Sequence, residues 1–85
     1  MNHIYKDSMK TFLHREMLKT MDELDLTKER TAEMLCIDTR SFAYLKSGKT
    51  MFSATTLLLY LARICPDYKD FMKKLKSVLK EAEQN

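Results

Sequence analysis

Apolar residues return at steps of three and four along almost the whole chain, the spacing that lines one face of an α-helix. Met9, Phe12, Leu13, Met17, Met21 and Leu24 form the first such stripe, widened by Leu18. Asp7 or Ser8 can cap its opening turn, which predicts a helix from there to about Leu24, preceded by an arm over residues 1–7. Ile4 and Tyr5 in that arm are expected to tuck against the body or a partner. Pro66 divides the second half of the chain. Before it, Ser53 caps a helix from Ala54 to about Ile64 whose buried stripe is read as Leu57, Leu58, Leu61 and Ile64, with Leu59 and Tyr60 extending the apolar character sideways. After it, Asp67 starts an amphipathic helix over about 67–82, with Tyr68, Phe71, Met72, Leu75, Val78, Leu79 and Ala82 on one side. Lys69, Lys73, Lys74, Lys76 and Lys80 fall off that stripe.

Between these long helices, the segment 27–49 reads as two short helices joined by a tight turn. Thr27 is a suitable N-cap for the first and Asp38 for the second, because their side-chain oxygens can accept from N–H groups left free in an opening turn. Ala32 and Leu35 lie three apart on the inner face of the first, and the small Ala32 allows close approach. Phe42 and Leu45 anchor the second, which leaves Arg40, Ser41 and Tyr44 pointing outward. Ile37 follows the turn and is placed to plug the gap, Leu26 to plug the core before the motif. Gly48 can take the left-handed conformation that stops a helix. The pair is a helix-turn-helix, a unit that in DNA-binding proteins lays its second helix in the major groove.

These residues carry a resemblance. Leu26-Thr27, Ala32, Cys36, Ile37, Asp38 and Gly48-Lys49, continued by Ser53, Thr56-Leu57 and Leu61-Ala62, occur in the order found in the Cro/C1 (Xre-type) helix-turn-helix repressor family. The stretch Leu26–Ile64 is similar to that family's domain and covers roughly half the chain. It departs from the pattern at three places: Cys36 stands where glycine is usual in the turn, Phe52 where a proline is common, and Lys46 where an acidic residue is frequent. The resemblance implies a compact all-α, five-helix, lambda-repressor-like DNA-binding domain that binds double-stranded DNA, typically as a homodimer and a transcriptional repressor. By position it implies base contacts from Thr39, Arg40, Ser41 and Tyr44. Their chemistry agrees: an arginine can form a forked pair of hydrogen bonds to guanine, hydroxyls can bond bases or phosphates, and a tyrosine ring can meet a thymine methyl. Lys28, Lys46, Ser47, Lys49 and Thr50 flank that helix and are the expected phosphate contacts. A second reading keeps the scaffold but gives it another role, as a protein-interaction module, such as the antitoxin partner of a toxin, using the fifth helix or the N-terminal arm. Polymerase is a further protein partner that a DNA-bound regulator would meet.

Composition narrows the choice. The chain has 85 residues, enough for one small domain that dimerisation would help to stabilise. One glycine and one proline leave little material for hairpins. The net charge is +3, and residues 27–50 carry five basic against three acidic groups, so the positive excess falls on the motif. His3 and His14 stand alone, no metal-ligand spacing links them to Cys36 or Cys65, and the two thiols are read as buried or half-buried in a reducing cytoplasm. No catalytic constellation, cofactor loop or metal site is expected. The opening residues lack the apolar run of a leader, and Leu57–Ala62, the longest apolar run, is too short to cross a bilayer, so a cytoplasmic protein without a membrane anchor is expected.

Overall fold

The computed structural model describes residues 3–84. It contains α1 (His3–Glu23), α2 (Lys28–Met34), α3 (Thr39–Lys46), α4 (Ala54–Arg63) and α5 (Tyr68–Gln84), and among the described residues all regular structure is helical. No described helix is long and apolar enough to cross a membrane. α1 and α5 pack along each other, α2 lies against both α3 and α4, and α3 touches α1.

Helix starts follow the caps read from the sequence. The Thr27 hydroxyl accepts from the Arg30 N–H at 3.0 Å, Asp38 Oδ1 from the Ser41 N–H at 2.6 Å, and the Ser53 hydroxyl from the Thr56 N–H at 3.1 Å. Asp67 Oδ1 accepts from the Asp70 N–H at the head of α5. The first helix is the exception. It begins at His3, not at Asp7 or Ser8, so residues 3–7 of the expected arm are helical. Met1 and Asn2, and the packing expected of the Ile4 side chain, lie outside the described residues. The Tyr5 hydroxyl donates to Glu83 Oε2 at 3.0 Å, which ties this first turn to the end of α5. α5 itself runs to Gln84, two residues past the expected end at Ala82.

Three helices stop in one way. Asp25, Cys36 and Gly48 have φ of 53°, 58° and 81°. Each donates its N–H to a carbonyl three residues back, and the following residue donates to one five back: Leu26 to Met21, Ile37 to Ala32, Lys49 to Tyr44. This pairing satisfies carbonyls that a helix end leaves free, and it suits glycine best. Leu26 and Ile37 then fold back as half-buried side chains against the core. Two of the three positions carry side chains despite the left-handed backbone.

The core is strung on aromatic rings. Phe12 of α1 meets Phe71 of α5 at 5.2 Å between centroids, Phe71 meets Tyr60 of α4 at 6.1 Å, and Tyr60 meets Phe52 edge-on at 5.8 Å. Tyr60 is 1% exposed and its hydroxyl donates to Thr20 Oγ1 at 3.1 Å. Burial pushes the Tyr60 phenol up to about 12, with the Thr20 bond acting weakly the other way. The Thr31 side chain, fully buried, donates to the Thr27 carbonyl. α4 therefore faces inward with Thr56, Tyr60 and Ile64, at steps of four. The leucine stripe expected to be buried is displaced: Leu57, Leu59 and Leu61 are half-buried and Leu58 is 65% exposed. Leu24 and Tyr68, also placed on apolar stripes, are exposed. The thiols differ too: Cys65 is half-buried, with its acidity lowered chiefly by burial, whereas Cys36 is exposed, and both are free.

Candidate nucleic-acid interface

α3 is held by two side chains. Phe42 is 1% and Leu45 5% exposed, and both belong to the main core. Thr39, Arg40, Ser41, Ala43 and Tyr44, together with Lys46 and Ser47, are left exposed. The Asp38 cap fixes the start of the helix. Its carboxyl is held below the usual range, first because it accepts from the Ser41 backbone N–H. The end of α3 is fixed three ways at the Tyr44 carbonyl, which accepts from the Lys49 N–H at 2.9 Å, the Thr50 N–H at 3.3 Å and the Ser47 hydroxyl at 3.0 Å. His14 of α1 adds a bond between its Nε2 and the Lys46 carbonyl. In the sequence that histidine stands isolated, because nothing local reveals a partner 32 residues away.

All nine residues expected to meet DNA are exposed. Five of them, Lys28, Thr39, Arg40, Lys46 and Ser47, line one open cleft of about 650 Å³ between the start of α2 and the flank of α3 that carries Phe42 and Ala43. Glu29 lines it as well, a residue that no sequence signal marks. Ser41, Tyr44, Lys49 and Thr50 lie outside the cleft lining. Within that second group, Lys49 Nζ sits over the Tyr44 ring, 4.9 Å from its centroid. Tyr44 and Lys49, the one expected to meet a base and the other a phosphate, thus form one cation–π unit.

The turn between α2 and α3 is clamped from α4. Arg63 Nη1 donates to the Met34 carbonyl at 3.0 Å and lies 3.4 Å from Cys36 Sγ. A guanidinium at the end of a helix meets the partial negative charge there. Each of the two short helices is therefore fixed to the body at its C-terminal end, α3 by His14 from α1 and α2 by Arg63 from α4. Among the described residues no group of three or more His, Cys, Asp or Glu side chains is placed to hold a metal. Comparison of the chain with family models, with curated proteins and with solved structures yields no match.

Proposed function

We propose that this protein is a sequence-specific, double-stranded DNA-binding transcriptional regulator of the Cro/C1 type, a repressor that works as a dimer on a lambda-repressor-like scaffold. One observation carries the reading: α3 is anchored by Phe42 and Leu45 while Thr39, Arg40, Ser41 and Tyr44 stand in solvent. A rigid helix with exposed polar side chains and cations on both flanks is what major-groove readout requires. In this reading Arg40 pairs with a guanine edge, and Thr39 and Ser41 bond bases or phosphate. Tyr44 covers a thymine methyl once Lys49 moves onto the backbone. Lys28, Lys46, Ser47 and Thr50 hold neighbouring phosphates. Leu58, exposed, and Leu57 and Leu61, half-buried, adjoin on the outer arc of α4 and supply an apolar surface for the second subunit.

Selection of bound duplexes from a random pool, followed by titration of the selected duplex and a scrambled one, tests the proposal. Arg40→Ala is expected to remove preference at one base position, about 1–3 kcal/mol. Lys49→Ala is expected to weaken binding to both duplexes alike and to reduce the dependence of log K on log salt by about one unit. Failure of the wild-type protein to enrich any sequence, at low salt as well as high, would refute it.

A further inference from the structure

The outer side of α5 carries a feature that neither the core nor the α3 surface uses. Lys69, Lys73, Lys76 and Lys80 follow steps of four, three and four, so they form one straight row, roughly 16 Å long at 1.5 Å per residue. All four are exposed. The row lies on the side of α5 opposite Phe71 and Val78, which face α1 and the core. Among the described residues none of the four is in an ion pair. The fifth lysine of the helix, Lys74, is the one that pairs, with Glu16 at 3.6 Å and Asp70 at 3.1 Å. Like charges at these spacings repel along a helix, so the row weakens the isolated fold and would be relieved by an anionic partner.

We propose that this row is a docking surface for an acidic amphipathic helix of a partner protein. Three observations select that occupant. A second α-helix with carboxylates at the same steps matches the row in both length and straightness. One edge of the row is apolar, with Met72 and Leu79 half-buried and Tyr68 56% exposed, which a phosphate backbone would leave unused but an amphipathic helix would cover. A lipid surface is disfavoured because the main apolar stripe of α5 is already spent on α1 and the core, leaving Tyr68 as the one exposed large apolar side chain of that helix among the described residues. The surface is distinct from the cleft at α3, and the inference stands whether or not that cleft binds DNA.

The test uses the full chain and a synthetic helical peptide with four glutamates at steps of four, three and four and leucines along one adjoining edge. Wild-type protein is expected to bind it, with affinity falling as salt rises. The combined variant K69Q, K73Q, K76Q and K80Q is expected to bind roughly tenfold or more weakly, with a thermal midpoint equal to or above that of the wild type. Replacing the four lysines by glutamate should transfer binding to the lysine version of the peptide, a gain that misfolding cannot mimic. Equal binding of a peptide with the same composition in shuffled order overturns the proposal, as does peptide affinity unchanged in the glutamine variant. Loss of affinity for a duplex of unrelated sequence, with peptide binding intact, would assign the row to nucleic acid and overturn it too.

Discussion

Cys36 holds a backbone conformation that disfavours any side chain, at the turn that sets the angle between α2 and α3. Its φ is 58°, against 81° for Gly48 at the equivalent place after α3. A Cβ in the left-handed region costs about 1–2 kcal/mol. Glycine removes that penalty but adds about 0.5–1 kcal/mol through the greater freedom of the unfolded chain. The Sγ contact with Arg63, at 3.4 Å and to a weak acceptor, adds little, and the Arg63 bond to the Met34 carbonyl does not depend on residue 36. Cys36→Gly should therefore stabilise the protein by about 0.5–1 kcal/mol, a rise in Tm of roughly 2–8 °C for a domain of this size. Cys36→Ala keeps the Cβ and the φ and loses only the sulfur, so it should stay close to the wild type. Gly48→Ala reads the same energy with the opposite sign. A Cβ there would meet only His14 Cδ2, at 4.0 Å, so the expected loss of about 0.5–1 kcal/mol is conformational and not steric. Urea titrations followed by far-UV circular dichroism, with thermal scans in parallel, measure all three. If Cys36→Gly is no more stable than Cys36→Ala, or Gly48→Ala is neutral, left-handed strain does not govern these helix ends.

Other perturbations test other parts of the structure. Tyr60→Phe should lose about 1 kcal/mol with the hydroxyl's bond to Thr20, and adding Thr20→Val should recover part of it, because removing both partners leaves no unpaired group; strictly additive losses in denaturant midpoints would contradict the bond. Because the folded-state pKa of Asp38 is depressed, its cap stabilises above the unfolded carboxyl's value near 3.9 and the benefit disappears as pH falls through the folded value. The stability difference between wild type and Asp38→Asn should accordingly change below about pH 4 and be constant between about pH 5 and 8; a flat difference throughout would remove the charge-assisted cap. If the proposed dimer forms through α4, Leu58→Glu should shift sedimentation toward monomer without lowering the denaturant midpoint of the monomer, since the side chain contributes little to the core; an unchanged self-association constant would refute that placement.

Local chemistry was legible in the sequence, because each local signal acts within about four residues. Thr27, Asp38 and Ser53 cap as expected, Gly48 stops α3, and Phe42 with Leu45 sets which way that helix turns. Periodicity fails where it is ambiguous. In α4 nearly every position from Leu57 to Leu61 is apolar, so several faces qualify equally as the inner one. The choice fell to ring packing with Phe52 and Phe71 and to the Thr20 hydroxyl, which draw Tyr60 inward and turn Leu58 out. The early start of α1 likewise accompanies Tyr5 meeting Glu83, 78 residues away. His14 on the end of α3 and Arg63 on the end of α2 belong to the same class.

The chain's own pattern thus determined that the described residues form five helices, where most of them begin and end, and which residues α3 presents outward. Tertiary structure alone decided which side of α4 is buried, how α3 is braced from α1, and that Lys49 rests on Tyr44. The physical reason is range. Caps, turns and helical periodicity are satisfied by neighbours along the chain, whereas the choice among equally apolar faces depends on the shape and hydrogen-bonding groups of elements that only folding brings together.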